Sequence, residues 1–124
     1  ESVTHVGTSA AETITGTLGD DIIYAGGGTD TITATAGNDR LSGGNGADTF
    51  VFSTDDEISR ILDFSSIDGD KIQVISFGFA NWAALQSELE ASGGGNTKLT
   101  LDPNTFIFFD DVNFDEFVAS DFIL

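Results

Sequence analysis

Cysteine is absent from this 124-residue chain, and histidine and proline occur once each. Without cysteine, no disulfide can stabilise the fold and no thiol can act as a nucleophile or redox group. The single histidine, His5, cannot supply a zinc triad, and the chain contains no Gly-x-Ser-x-Gly nucleophile motif. The sequence therefore argues against a catalytic role for this chain.

Basic residues are also scarce, with four against 21 acidic residues and a net charge of −17. Nucleic acids and anionic membranes require a basic protein face, so neither is expected as a partner. No apolar run approaches the roughly 18–20 residues that span a bilayer, and the N-terminal residues lack the basic end and apolar core of a secretory signal peptide. The composition instead favours cations as partners.

A nine-residue pattern runs five times without a gap from residue 7 to residue 51. The units are Gly7–Thr15, Gly16–Tyr24, Ala25–Thr33, Ala34–Ser42 and Gly43–Val51. An acidic residue recurs at one position of the unit, and a large apolar residue follows it two positions later. The acids are Glu12, Asp21, Asp30, Asp39 and Asp48, and the apolar residues are Ile14, Ile23, Ile32, Leu41 and Phe50. A flexible Gly/Thr/Asp-rich linker would not keep an acid and an apolar residue at fixed nine-residue spacing. The pattern therefore predicts a repeat fold.

The two halves of the unit predict two kinds of structure. Glycines at its second and fourth places allow the backbone to turn sharply with its carbonyl oxygens pointing inward. The residues after the acid, such as Thr31-Ile32-Thr33, favour a short strand with one buried face. Stacking such units at about 4.8 Å brings the acids close together, so a hard cation is expected between them.

The last unit, Gly-Gly-Asn-Gly-Ala-Asp-Thr-Phe-Val, is similar to the calcium-binding nonapeptide of RTX proteins. The resemblance implies an all-β, right-handed parallel β-roll with two units per coil. Several Ca²⁺ ions would lie between turns eighteen residues apart, so that Glu12 faces Asp30, Asp21 faces Asp39, and Asp30 faces Asp48. Turn residues would supply further oxygen ligands. They are Gly16, Thr17, Gly19, Gly26, Gly28, Thr35, Gly37, Gly43, Gly44 and Gly46.

The composition changes after Val51, since nine of the 11 phenylalanines lie at position 64 or beyond. We expect residues 1–51 to form the roll and residues 52–124 to form a Phe-rich segment that caps it within one continuous module. Strands are predicted at 58–64 and 71–76. The stretch at 61–72 resembles the closing segment of serralysin protease modules, and its Asp63 and Asp70 either hold a further ion or serve as ordinary turn acids.

One helix is predicted at residues 80–91, with Asn81 as its N-cap and the glycine run at 93–95 as its stop. Its Trp82 face either packs on a sheet or binds sugar. The alternation at 97–101 and 105–109 predicts a β-hairpin. The terminal residues 121–124 resemble the uncleaved C-terminal signal of type I secretion, or form a last edge strand.

The resemblance implies a non-catalytic module of a larger exoprotein that is secreted by a bacterial type I apparatus and folds on calcium outside the cell. A protease, lipase, epimerase or adhesin portion would precede it. One alternative is a calcium-supported polysaccharide-binding module of an alginate-epimerase-like enzyme, although the basic residues Arg40, Arg60, Lys71 and Lys98 are few and scattered along the chain. Another is a segment of a surface adhesin.

Overall fold

The computed structural model describes residues 3–54 and 56–124, and within them the chain winds into a roll of two facing β-sheets. The strands are β1 (Val3–Val6), β2 (Thr13–Thr15), β3 (Asp21–Tyr24), β4 (Thr31–Thr33), β5 (Asn38–Ser42), β6 (Thr49–Val51), β7 (Ile58–Ile61), β8 (Lys71–Gln73), β9 (Leu89–Gly93), β10 (Asn96–Asp102), β11 (Thr105–Phe109) and β12 (Phe122–Ile123). The helices are α1 (Trp82–Gln86) and short 3-10 turns at Ile75–Phe77, Phe114–Glu116 and Ala119–Asp121.

Successive strands of the roll alternate between the sheets. The seven-stranded sheet has the order β1-β3-β5-β7-β11-β10-β9, and the five-stranded sheet has the order β12-β8-β6-β4-β2. Strands of the repeat pair in parallel with an offset of eighteen residues, as Ile23 with Leu41 and Ile32 with Phe50. This offset confirms the predicted parallel β-roll with two nine-residue units per coil.

The interior of the roll is filled by one apolar side chain from each unit. Ile23, Ile32, Leu41 and Phe50 are all completely buried between the two sheets, as the period predicted. Ile14 is only half-buried because its strand, β2, forms the edge of the five-stranded sheet. Burying one large side chain per unit stabilises a roll whose turns contribute almost no apolar surface.

The C-terminal segment continues both sheets and then covers the roll. Strands β7 and β8 pair in parallel with β5 and β6, and β11, β10 and β9 extend the larger sheet as an antiparallel meander. The Phe109 ring packs 4.8 Å from Phe117, and Phe117 lies 5.6 Å from Phe122. Trp82 stacks on Phe122 at 5.5 Å, which is the packing role expected of this tryptophan rather than the sugar-binding one.

The predicted helix is too long. It spans only Trp82–Gln86, although Asn81 caps it as expected through a 2.9 Å bond from the Ala84 N–H. Leu89, which the predicted helix included, lies opposite Leu99 and is the first residue of β9 instead. The glycine run at 93–95 forms the turn between β9 and β10 rather than the helix stop.

Two strands are shorter than predicted, whereas the hairpin is confirmed as β10 and β11. Strand β7 ends at Ile61 because Asp63 leaves the sheet to bind the turn that begins at Gly43. Strand β8 ends at Gln73, and the chain then curls into a 3-10 turn in which the Phe77 N–H bonds the Val74 carbonyl at 3.1 Å. No helix in the described ranges is long and apolar enough to cross a membrane.

Candidate metal centres

The glycine-rich turns stack along the two edges of the roll. One stack contains the turns at 7–12, 25–30 and 43–48 and the longer loop at 62–70, and we call it the Asp30 side. The other contains the turns at 16–20 and 34–37 and the segment between β6 and β7, and we call it the Asp39 side. Each repeat acid lies at the end of its turn, immediately before or at the start of the next strand.

On the Asp30 side the acids form a ladder. The Asp30 carboxylate accepts a 2.8 Å hydrogen bond from the Glu12 N–H, and the Asp48 carboxylate accepts one of 2.9 Å from the Asp30 N–H. Asp70 closes the ladder by accepting a 2.9 Å bond from the Asp48 N–H, at a spacing of 22 residues because the last loop is longer. The structure therefore brings together the pairs that the eighteen-residue register predicted here.

The Asp39 side repeats this arrangement, with a 2.9 Å bond from the Asp21 N–H to the Asp39 carboxylate. Asp21 itself binds its own turn, accepting from the Thr17 N–H at 2.6 Å and the Thr17 hydroxyl at 2.9 Å. His5 Nε2 lies 3.7 Å from the Asp21 carboxylate. Glu12, at the same end of the roll, similarly accepts from the Thr8 N–H at 2.6 Å. The first acid of each stack is thus held by local donors.

Three repeat acids each retain a carboxylate oxygen without a partner. Oδ2 of Asp30, Asp39 and Asp48 is buried and forms no hydrogen bond within the described part of the chain. All three side chains are at most 2% exposed. A buried, ionised oxygen without a donor is costly, so each of these oxygens requires a cation or a proton.

The pKa values of the buried acids also reflect the cost of burying their charge. Burial raises the pKa of Asp39 to about 6, and the nearby Asp21 carboxylate adds to the effect. Burial likewise raises the pKa of Asp48 to about 6, with further contributions from Asp70 and Asp30, and it raises the pKa of Asp70. A carboxyl group of pKa about 6 is still mostly ionised at pH 7, so the turns bury negative charge at that pH.

Backbone oxygens line the spaces between the stacked turns. A Cβ added to Gly26 would lie 2.4 Å from the Thr8 carbonyl oxygen, and one added to Gly44 would lie 2.1 Å from that of Gly26. Similar contacts join Gly46 to the carbonyl of Gly28 at 2.2 Å and Gly37 to that of Gly19 at 2.4 Å. These glycines all have positive φ, between 80° and 108°. Carbonyl oxygens of one turn therefore point into the next, where only glycine leaves room for them.

This donor set suits a hard cation. Carboxylate and carbonyl oxygens are the ligands that Ca²⁺ prefers, and the Asp39 side adds the Thr35 hydroxyl, which donates to the Thr17 carbonyl. No group of three or more His, Cys, Asp or Glu side chains suited to a metal occurs within residues 3–54 and 56–124. Most ligands at any site in the roll must therefore come from the backbone, which is why the turn glycines matter.

The two later acids that were predicted as ligands, Asp63 and Asp70, both lie at the last turn of the Asp30 side. Asp63 accepts from the N–H groups of Gly43 and Gly44 at 3.0 and 2.9 Å and from the Ser42 hydroxyl at 2.7 Å. Asp70 also accepts from the Ser65 N–H at 2.9 Å. Both fix the geometry of this turn, and a direct role in holding an ion stays a prediction.

Sequence reasoning missed three polar residues on the Asp39 side. Glu57 lies eighteen positions after Asp39 and binds the Gly37 N–H at 2.8 Å, with an unusual φ of 56°. Asp56 is buried and accepts from the Ser53 N–H at 2.6 Å. Ser59 is buried in register with Asp39. Glu57 continues the nine-residue phase of the repeat acids and was therefore an available signal, whereas Asp56 and Ser59 fall outside that phase.

Three basic residues that are scattered in sequence share one row on the outer face of the larger sheet. Arg40 lies beside Arg60, Arg60 beside Phe108, and Phe108 beside Lys98 on successive strands. The Arg60 guanidinium lies 5.1 Å above the Phe108 ring, and Lys98 Nζ lies 4.4 Å above Phe106. We call Arg40, Arg60, Lys98, Phe106 and Phe108 the cationic row. The structure thus corrects the view that the basic residues are scattered.

Comparison with known proteins agrees with this architecture. The model of the RTX calcium-binding nonapeptide repeat, in four copies, matches residues 6–34 and 24–56. A comparison with curated protein sequences found no match. The chain is similar to the solution structure of the AlgE6R2 subunit of the Azotobacter vinelandii mannuronan C5-epimerase, with 25% identity, a TM-score of 0.65 and coverage of 97% of this chain and 91% of that one.

The AlgE6R3 subunit of the same epimerase is also similar, with 28% identity, a TM-score of 0.52 and coverage of 94% of this chain and 80% of that one. Both likenesses extend beyond the repeats into the Phe-rich segment. These likenesses agree with the unpartnered carboxylate oxygens and with the eighteen-residue register of the strands. Residues 6–56 of this chain match the RTX calcium-binding nonapeptide repeat, and the strands within them wind into a parallel β-roll.

Proposed function

We propose that the chain is a calcium-dependent folding module of a larger secreted protein, exported unfolded by a type I apparatus and folded by calcium outside the cell. The observation that carries this proposal is the set of buried, unpartnered Oδ2 atoms on Asp30, Asp39 and Asp48. Each lies in a turn whose neighbouring carbonyl oxygens could complete the coordination. The proposal gives the chain itself no catalytic step.

The energetics support a switch driven by calcium concentration. Extracellular calcium modules bind with dissociation constants of roughly 10⁻⁴ to 10⁻³ M. Free calcium at a hundred times the dissociation constant stabilises the folded state by about 2.7 kcal/mol per site. The metal-free chain carries a net charge of −17 and many turn glycines, both of which oppose folding. A few sites are therefore enough to decide whether the roll forms.

The position of the C-terminal tail in the folded chain supports export before folding. Asp121 is buried and accepts hydrogen bonds from the Ser66 hydroxyl at 2.6 Å and the Val118 N–H at 2.9 Å. Phe122 lies opposite Ile72 at the edge of the five-stranded sheet. A receptor could reach Asp121 and Phe122 only before the cap folds, whereas Ile123 and Leu124 remain exposed in the folded chain. Export would then precede folding.

The export proposal predicts a specific dependence on the tail. Residues 1–124, fused to a slow-folding reporter in a host with a type I exporter, should be exported, and the same fusion lacking residues 121–124 should stay in the cell. Ser66→Ala is the matched control, because it removes the folded tail's contact to Asp121 without changing the tail sequence, and it should be exported normally. Equal export with and without residues 121–124 would show that these residues carry no signal.

The cationic row favours a second candidate function, binding of a linear acidic polysaccharide. Arg40 is exposed and forms no ion pair within the described residues, whereas Arg60 pairs with Asp110 and Lys98 lies 4.0 Å from Glu90. Clefts of about 300, 200 and 780 Å³ share Asn38 beside Arg40 and Arg60, although acids of the Asp39 side also line them. The similar modules belong to an enzyme named for mannuronan, which is a polyuronate.

Calorimetric titration with oligomannuronate in saturating calcium tests this candidate. Arg40→Gln should weaken binding on the order of tenfold, the value of one lost charge-assisted contact. Lys71→Gln is the matched control, since it removes the same charge from the other sheet and should leave binding unchanged. The cationic row would not be the binding surface if a neutral glycan gave the same binding heat as oligomannuronate. The same would follow if both variants lost affinity equally.

A further inference from the structure

The chain contains one Asn-Gly pair, Asn45-Gly46, at the tip of the turn at 43–48 on the Asp30 side. The backbone nitrogen that follows an asparagine can attack the side-chain amide of that asparagine. Here the Gly46 nitrogen would bond to Asn45 Cγ, the bond from Cγ to Nδ2 would break, and ammonia would leave with the proton of the Gly46 N–H. Glycine favours this ring closure because it has no Cβ to hinder the approach.

Water then opens the resulting succinimide ring at one of its two carbonyl carbons. Attack at Cγ gives aspartate and restores a backbone of normal length. Attack at the backbone carbonyl carbon gives isoaspartate, in which the chain runs through Cβ and Cγ. Isoaspartate therefore lengthens the backbone by one carbon atom.

Hydrogen bonding leaves both reacting groups of this pair free. Asn45 and Gly46 are exposed, and neither the Asn45 side chain nor the Gly46 N–H forms a hydrogen bond within the described part of the chain. The one Asp-Gly pair, Asp68-Gly69, could form the same ring, but its Gly69 N–H donates to the Ser66 carbonyl at 3.1 Å. The structure therefore singles out Asn45 as the reactive position.

The stacked turns leave no room for a longer backbone at Asn45. Gly44 and Gly46, on either side of it, have φ of 80° and 103°. A Cβ added to them would lie 2.1 and 2.2 Å from the carbonyl oxygens of Gly26 and Gly28. Ring closure has to turn the Gly46 nitrogen toward Asn45 Cγ, which moves the backbone that packs on Gly28. The stacked turn therefore resists the reaction, and a turn that contains isoaspartate cannot restore the stack.

We propose that Asn45 is a succinimide-forming modification site, and that isoaspartate at this position stops the turn at 43–48 from stacking on the turn at 25–30. Protection by calcium rests on the proposed calcium-dependent folding, because the stacked turn exists only in the folded chain. Asp48, whose carboxylate accepts from the Asp30 N–H at 2.9 Å across these two turns, would lose its place in the ladder. A chain that stays unfolded therefore accumulates a covalent change that later binding of calcium cannot reverse.

Incubation of the full chain in mildly alkaline buffer, with EGTA or with saturating calcium, tests the proposal. Peptide mapping by mass spectrometry locates the modified residue, and chromatography of the peptides separates aspartate from isoaspartate. Asn45 should be converted mainly to isoaspartate, several-fold more slowly in calcium than in EGTA. Asn104 is the internal reference and should stay intact, since it is also exposed but is followed by the β-branched Thr105, which hinders the attack. After incubation in EGTA, the fraction of chain that gains β-structure on adding calcium should fall as isoaspartate rises.

Two variants separate the longer backbone from the new charge. Asn45→Gln keeps an exposed amide but needs a larger ring that closes slowly, so it should still fold on calcium after the same incubation. Asn45→Asp, freshly prepared, carries the charge of the product on a backbone of normal length. It should fold on calcium as the natural chain does.

The outcomes separate this inference from the proposed function. Modification of Asn104 as fast as Asn45 would overturn the inference, and so would full folding of a chain that carries isoaspartate at position 45. Failure of fresh Asn45→Asp to fold would overturn it too, because charge would then be responsible. If the fresh chain is equally rich in β-structure in EGTA and in calcium, the proposed function fails, whereas modification of Asn45 and not of Asn104 would still support this site.

Discussion

Asp30→Asn should remove the ligand that two calcium ions share and should cost about 5 kcal/mol of stability when free calcium is a hundred times the dissociation constant, at about 2.7 kcal/mol per site. The amide keeps an acceptor for the Glu12 N–H, which Asp30 binds at 2.8 Å, but the charge at the unpartnered Oδ2 is lost. The calcium concentration at the folding midpoint, followed by far-UV circular dichroism, measures the effect.

Two comparisons give this prediction its specificity. Glu12→Gln affects only the site that Glu12 shares with Asp30, so it should shift the midpoint less than Asp30→Asn does. Asp115→Asn, at an exposed position away from the turns, should shift it little. In double-mutant cycles Asp30 should couple to Asp48, eighteen residues away, and not to Asp21. Stronger coupling to Asp21 would contradict the two-units-per-coil register.

Gly44→Ala should destabilise the calcium-bound roll by about 2–4 kcal/mol. Of this, about 1 kcal/mol reflects the positive φ that alanine disfavours, and about 1–3 kcal/mol reflects overpacking, because the new Cβ would lie 2.1 Å from the Gly26 carbonyl oxygen. That oxygen lines the space between two turns of the Asp30 side. Displacing it should also weaken calcium binding, which strain elsewhere in the chain should not do.

Gly78→Ala is the control for backbone strain. Gly78 has a φ of 70°, yet an added Cβ would meet nothing within 4 Å. Its substitution should cost about 1 kcal/mol and leave calcium affinity unchanged. Urea unfolding in saturating calcium, combined with calorimetry, measures both quantities. Equal losses for Gly44→Ala and Gly78→Ala would mean that the close approach of stacked turns contributes nothing beyond the conformation of single glycines.

The roll could be predicted from sequence because its information is local and repeated. One apolar residue and one acid per nine residues fix which side chains point inward and which acids share an edge, as Leu41 and Asp39 show. The pairing of acids eighteen residues apart came from the resemblance to the RTX nonapeptide, which implies two units per coil. The orphaned oxygens of Asp30, Asp39 and Asp48 then follow from burial that the period itself imposes.

The cap and the outer surface could not be predicted in the same way, because tertiary pairing decides them. Leu89 fits a helical face by spacing, but pairing with Leu99 draws it into β9. Arg40, Arg60 and Lys98 are distant in sequence and become neighbours only through the register of β5, β7, β11 and β10. The two-residue slip that puts Ser59 beside Asp39 likewise arises where the repeat ends.

The central claim is that calcium bound between stacked turns makes the roll fold. Far-UV circular dichroism of the chain in excess EGTA, followed by calcium titration into the millimolar range, tests it most directly. We expect a largely disordered spectrum in EGTA, a cooperative gain of β-structure on adding calcium, and little effect of magnesium, which gives up its waters reluctantly. A spectrum that is equally rich in β-structure with EGTA and with calcium would contradict the account.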